Sequence, residues 1–421
     1  MTTLQEVPAH DSSEPSVVAL STQRITRRYI KGSRPARVTR ISIETADDGA
    51  EQILKPRLKQ GVRIGKPDSE EATNLVVASA HNAISIHHPG ARAIISKLDG
   101  LHSASDISTE IFAPLEIVIK VISQLEIAQF LDVTHSKIKL HNRFQSPIAE
   151  RAAHTEDQSN DASFKQLQSR MSPELSQCTW TEGVVDGGVN LLSQRQSFGV
   201  EIYGDNRLAT LIYVALLASG VTNTKFSMAS RRNSAAIGDS DLGTGVLRSN
   251  DFGLNFISRT EELSREWSLF PTASKNVKGS ISSPIPERNI RVIVGDQPVE
   301  LIQQLMRDKA DHIFVGEVLG GSAFVGPFVQ PGQSPCANCL ALSQAERLGV
   351  GALIPVNAGG VEISVALSYQ LAGTAVQAIL QLIDTEKCDL QGAQMSCEFT
   401  SPVRTEPIRF ARHPQCDCQW R

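Results

Sequence analysis

From about Leu54 the chain alternates apolar and polar positions in three short runs, RLKQGVRIG, NLVVAS and AISIHH, the pattern of half-buried strands. The stretch around His81-Asn82 has turn composition between the second and third runs. The period then lengthens. PGARAIISKLDG predicts a helix opened by Pro89 and closed at Asp99-Gly100, SASDISTEIF a second with Ser103 or Ser105 as cap, and PLEIVIKVISQLEIAQFL a third. Three small strands followed by three helices predict a winged helix-turn-helix over residues 53–143, after a tail over 1–52 without apolar periodicity.

In the third helix Leu115, Val118, Ile122 and Leu125 fall on one stripe, which Ile117 and Val121 widen. A domain of about 90 residues hardly needs so broad an apolar face. The surplus has two readings: a groove for a peptide, or a generous core and domain contact.

Residues 144–180 are polar, contain Pro and Ser, and read as a linker. Beyond it, over 181–421, FGVEIYGDNRLATLIYVALLASGVTNTKFSMAS predicts strand, turn at Gly204, helix ending at Gly220, and strand, a βαβ opening. RVIVGD predicts another parallel strand, followed by a helix from about Val299 to Asp308. DHIFVGEVLGGSAFVGPFVQPG predicts two strands meeting at Gly320-Gly321, and VEISVALSYQLAGTAVQAILQLI a helix packed on the sheet. The fold class is α/β.

Composition narrows the functions. A chain of 421 residues is too long for one core. Its net charge of -4 supplies no attraction to nucleic acid or an anionic membrane. The usual work of a winged helix, reading DNA with its third helix, needs basic side chains; this helix carries Lys120 against Glu116 and Glu126. RITRRYIKGSRPARVTR, from Arg24 to Arg40, reads as a solvated basic tail. No apolar run of membrane-spanning length occurs, and Met1 is followed by polar and acidic residues, so an unexported protein without a membrane partner is expected. Seven cysteines, four of them in close pairs, do not form a secreted disulfide framework and point to the reducing cytoplasm.

Those pairs are Cys336/Cys339 and Cys416/Cys418. Two thiolates one or two residues apart supply half of a tetrahedral shell, and two halves make a closed, structural Zn2+ site. Ordinary buried reduced cysteines are the alternative, and the neighbouring His413 is an alternative fourth ligand to Cys418.

The strand running into Gly204 invites a dinucleotide reading, in which glycines bring a phosphate to a helix N-terminus. The turn Gly204-Asp205-Asn206 is degenerate for that purpose: Asn206 replaces the second glycine, and Asp205 repels phosphate. The second strand ends in Ser227-Met228-Ala229, without the carboxylate that would hold a ribose.

The order of strand, glycine turn, helix, strand, distal Cys-x-x-C and terminal cysteine pair resembles the ThiF/MoeB, ubiquitin-activating-enzyme-like superfamily. VGPFVQPGQSPCANCL and HPQCDCQW resemble a narrower branch within it. This is the ThiF-like cyclodehydratase component, or leader-peptide-binding protein, of thiazole/oxazole-modified peptide biosynthesis, the partner of a YcaO enzyme. The resemblance spans about residues 55–420. It implies that the winged helix, with LDGLHSASDI, is a PqqD-like recognition element that takes a precursor leader as an added strand. The groove would lie between Ala83–His88, with Ser85 and His87 on the strand's outer face, and the helix carrying Ile117 and Val121. It also implies a homodimer. Adenylating relatives carry Asn-Leu and Arg-Gln pairs after the second strand; SDLGTGVLRSNDFG has Asp241-Leu242 and Thr244-Gly245 instead. The expectation is an adaptor with no catalytic residue of its own that presents a precursor to a YcaO enzyme for azoline formation, with ATP bound by that partner. A working ThiF-like adenylyltransferase acting on a peptide is the alternative.

Overall fold

The computed structural model describes residues 54–65, 74–80, 82–133, 162–227, 235–270, 288–319, 321–351, 363–401 and 407–419. The predicted tail and residues 144–161 of the predicted linker lie outside them.

The N-terminal described part runs β1 (Arg57–Leu58), β2 (Arg63–Gly65), β3 (Leu75–Ala78), β4 (Ala83–Ile86), α1 (Ala91–Ser96), α2 (Ala104–Glu110), α3 (Leu115–Ile127) and β5 (Leu131–Asp132). The run RLKQGVRIG is two strands, not one. It breaks at Gly61, whose φ of +85° turns the chain, so β1 pairs antiparallel with β5 while β2 joins a sheet of order β2-β3-β4. Ser103 is the cap of α2: its hydroxyl accepts from the Asp106 N–H while the Asp106 carboxylate accepts from the Ser103 N–H at 2.9 Å. Val77, Ile86, Ile94, Ile107, Val118 and Leu125 make the core.

On α3 the buried stripe is Val118, Val121 and Leu125, and Leu115, expected inside, is 43% exposed. Val121, assigned above to a peptide groove, is a core side chain only 2% exposed; that assignment is corrected. The helix is rotated relative to the sequence reading, and its unburied apolar stripe is Leu115, Ile119 and half-buried Ile122.

Residues 162–178, read as linker, form helix α4 (Ala162–Cys178), followed by α5 (Val189–Gln194). Met171, Leu175 and Cys178, at i, i+4 and i+7, are a narrow apolar stripe that packs with Leu192, Leu269 and Phe270. There follow β6 (Phe198–Tyr203), α6 (Arg207–Ala218), β7 (Asn223–Phe226), α7 (Phe256–Trp267), β8 (Arg288–Val294), α8 (Val299–Arg307), β9 (Asp311–Leu319), β10 (Ser322–Val329), α9 (Ala337–Leu348), α10 (Val365–Thr385), β11 (Ala393–Glu398) and β12 (Ile408–Arg409). They build a seven-stranded sheet of order β12-β11-β10-β9-β8-β6-β7, parallel from β9 to β7 and antiparallel from β9 to β12. Its core joins Ile202, Val292 and Ile313 of the strands to Leu208 and Ile212 of α6 and Leu371, Ala375 and Ile379 of α10. By length and composition α10 is apolar enough to cross a membrane, yet 67% of its apolar window is buried inside the protein, the setting of a core helix.

A polar seam ties the two parts. The Lys59 ammonium, 3% exposed, donates to the carbonyls of Thr179 at 2.8 Å and Val184 at 2.7 Å. The Thr179 hydroxyl donates to Asp132 at 2.8 Å, the Trp180 indole to the Gln60 carbonyl at 3.2 Å, and the Val133 N–H to the Val185 carbonyl at 2.8 Å.

Candidate metal centre, strand edge and nucleotide corner

Cys336 caps the N-terminus of α9 and Cys339 lies in its first turn, so a single helix start aims both sulfurs one way. The chain returns after β12 through a turn in which the Cys416 N–H donates to the His413 carbonyl at 3.0 Å. The Sγ atoms of Cys336, Cys339, Cys416 and Cys418 all lie within 4.8 Å of one another. Cys336 is 3.8 Å from Cys339 and 3.6 Å from Cys416, and Cys339 is 3.3 Å from Cys418. A tetrahedral cation with sulfur ligands at about 2.3 Å requires sulfurs about 3.8 Å apart. The four residues therefore fit a metal ion.

Burial pushes the Cys336 thiol up to about 11, so a cation would be needed to hold that sulfur as a thiolate at neutral pH. The Asn338 amide donates to the Cys416 sulfur at 3.3 Å. His413 is engaged elsewhere: Nε2 lies 3.2 Å from the Glu346 carboxylate, and Nδ1 accepts from the Gln415 N–H. Cys178, Cys388 and Cys397 are dispersed core side chains, and burial pushes the Cys388 thiol up to about 11.

At the other end of the chain, β4 pairs with β3 in the register Val76↔Ser85 and Val77↔Ile84, and among the described residues no strand pairs its other side. Ile86 is buried and Ile84 half-buried, while Ser85 and His87 are exposed. Neither Lys nor Pro, the usual guards of a sheet edge, stands in β4. The Asn82 amide donates to the Ala128 carbonyl at 3.2 Å, tying the start of this strand to the end of α3. Ile117 is half-buried against the core.

At the carboxyl end of the parallel sheet, β6 turns into α6 through Gly204, whose φ is +141°. A Cβ there would stand 2.8 Å from Val294 Cβ and 3.0 Å from the Val294 carbonyl oxygen, so close packing of β6 on β8 is itself a reason for the glycine. Asn206 caps α6, its carbonyl oxygen accepting from the Ala209 N–H at 2.9 Å. The Arg207 guanidinium donates to the Ile363 carbonyl at 2.6 Å. Asp241 is buried and accepts from the Gly238 N–H at 2.8 Å, and the Tyr369 hydroxyl donates to the Thr244 carbonyl. Burial, then the Asp296 charge, push the Glu317 carboxyl up. The ending of RVIVGD in Asp296, at the mouth of a parallel strand, is the sequence signal for that charge.

This fold recurs in solved structures. The chain has the fold of MccB. The structure of E. coli MccB with ATP matches at a TM-score of 0.53 and 14% identity, over 86% of this chain and 99% of that one. The Microcin C7 biosynthetic enzyme MccB in complex with N-formylated MccA matches at 0.54 and 13%, over 87% and 99%. PaaA matches at 0.55 and 12%, over 84% and 100%. Residues 162–421 are less than two thirds of the chain, so the MccB likeness extends into the N-terminal part as well. No protein-family model and no curated protein matches the sequence.

Proposed function

We propose that the chain is an adaptor that binds the leader of a ribosomally made precursor peptide and presents it to a YcaO-type cyclodehydratase. The single observation carrying this reading is the unguarded edge of β4, whose start is tied to the end of α3 by the Asn82 amide. An extended peptide gains affinity by completing a sheet edge and specificity from side chains alongside. In this reading the N-terminal part is a winged-helix recognition element. Ser85 and His87 flank the incoming strand, and Leu115, Ile119 and Ile122, on the flank of α3 opposite Ile117, supply its apolar contacts. Structural Zn2+ is held by Cys336, Cys339, Cys416 and Cys418, and its chemistry is to hold the terminal segment on α9. The resemblance of VGPFVQPGQSPCANCL and HPQCDCQW supplies the partner class. The fold shared with a protein solved in complex with MccA is in keeping with a peptide ligand.

The corner supports an adaptor over an adenylating enzyme. Asn206 occupies the helix N-terminus with its own side chain, Asp205 adds negative charge there, and Thr244-Gly245 stand where the resemblance calls for Arg-Gln. The second reading, an active adenylyltransferase, is favoured by the fold shared with MccB, which was solved with ATP.

Two measurements decide. A fluorescent leader peptide from the precursor encoded beside this chain's gene is titrated against the wild type and Ile119→Glu; binding weakened about fivefold or more in the variant supports the groove, and absence of binding to the wild type removes the reading. Exchange of labelled pyrophosphate into ATP by the purified chain, abolished by Asp241→Ala, would replace the adaptor by the enzyme.

A further inference from the structure

The open edge of β4 carries opposite charge at its two ends. In the hairpin the Ser79 N–H donates to the Asn82 carbonyl at 2.8 Å, so by alternation the backbone groups of Ile84 and Ile86 pair with β3, and those of Ala83 and Ser85 face the open side. A strand added there runs between Asn82 and His87, over about 16 Å. The exposed side chains of β4 between those ends, Ala83 and Ser85, are small and uncharged.

At the Asn82 end stands the C-terminus of α3, touched directly by the Asn82 amide on the Ala128 carbonyl at 3.2 Å. The helix dipole leaves its last carbonyls negative, and no basic side chain in the last turn offsets them. Glu126 adds a full charge. It is exposed, has no ion-pair partner among the described residues, and at i+7 from Ile119 and i+4 from Ile122 continues the apolar stripe of α3. The other charges of that helix, Glu116 and Lys120, lie off the stripe and cancel. At the His87 end the sign is opposite. The His88 carbonyl accepts from the Ala91 N–H at 3.0 Å, so α1 starts one tight turn after the strand, and its second residue is Arg92. Arg92 is exposed and likewise unpaired among the described residues, and the first turn of α1 holds no acidic side chain. The His88 ring accepts the Gly90 N–H at Nδ1, which leaves Nε2 as a donor.

We infer that the leader segment seated on β4 is bipolar, with an acidic side chain where it passes His87 and Arg92 and a basic one about five residues away, where it passes Glu126 and the end of α3. The inference rests on the proposed peptide-binding function and adds what fixes the register of the leader. Backbone pairing does not fix it, because a slip of two residues restores the hydrogen bonds and keeps every side chain on its face. Charges at both ends do. The ends are farther apart than the screening length of about 8 Å at physiological salt, so they act independently.

The test titrates the fluorescent leader peptide, from the precursor encoded beside this chain's gene, against the wild type, Arg92→Glu, Glu126→Lys and the double variant. Each substitution puts at a helix end the charge that the dipole favours, so melting temperatures should not fall. Each single variant is expected to bind the leader about three- to tenfold more weakly, as an exposed attraction turns into repulsion, and the two losses to multiply in the double variant. Changing one acidic residue of the leader to its amide should remove the loss caused by Arg92→Glu. Changing one basic residue about five positions away to Gln should remove the loss caused by Glu126→Lys. Equal affinity for all four proteins overturns the inference and leaves leader binding standing. Tighter binding by either single variant overturns it by reversing the polarity, and so do losses that no leader charge accounts for or that trace to leader residues too far apart to share the strand. No binding even by the wild type removes the function on which the inference rests.

Discussion

Lys59 donates to the backbone carbonyl of Thr179 at 2.8 Å, across 120 residues of sequence. With the Val184 carbonyl as its second acceptor, this one ammonium satisfies two carbonyls of the segment joining α4 to α5. Lys59→Met keeps the length of the side chain and removes both donors. Leaving polar groups unpaired in a seam costs about 1–3 kcal/mol each, so a stability loss of that order is expected in denaturant melts.

The same lysine sets a pH dependence. Burial lowers its pKa, opposed by the charges of Asp132 and Asp186. Between that depressed value and the ordinary 10.5 the unfolded chain holds the extra proton. Stability from this group therefore rises with pH through that window. Comparing melts of the wild type and Lys59→Met as pH approaches 10.5 from below should show this rising contribution in the wild type alone.

Val121 and Ile119 lie on one helix with opposite fates. Val121→Glu buries an unpaired carboxylate in the small core and should cost about 4 kcal/mol or more, unfolding the N-terminal part and abolishing any binding with it. Ile119→Glu, at a position 48% exposed, should leave the melt within about 0.5 kcal/mol of wild type. Circular dichroism melts of both variants check this.

Metal analysis of freshly purified protein should find about one zinc per chain. Cys416→Ser should lower zinc content and the melting temperature of the α/β body. His413→Ala should retain the metal, because its ring is bound to Glu346 and Gln415 and not to the sulfurs. Finding zinc dependent on His413 and independent of Cys418 would reassign the fourth ligand.

Gly204→Ala combines a φ of +141° with a Cβ 2.8 Å from Val294. A loss of about 1–3 kcal/mol is expected, whether or not a nucleotide is present. If added ATP restored the lost stability, the corner would be a nucleotide site.

The periodic segments were readable from the residues because their own pattern states which face is buried. AISIHH, PLEIVIKVISQLEIAQFL and the βαβ opening at Gly204 appear as β4, α3 and β6-α6-β7. Ser103 as a cap was equally local, since the capping box is closed by Asp106 three residues on. The close cysteine pairs were visible as pairs, but only the return of the chain after β12 brings Cys418 to 3.3 Å from Cys339. Helix α4 was hidden because its apolar stripe is three side chains wide and acquires meaning only from Leu192 and Phe270, which cover it. The rotation of α3 was hidden for a related reason. Ile and Val surround most of that helix, so composition could not choose between Val121 and Ile119 as the buried side chain; packing against Ile107 and Phe130 did. Local period and spacing were properties of the sequence alone, whereas which of several equally apolar faces is covered depended on residues far away in the chain, and so belonged to the tertiary structure.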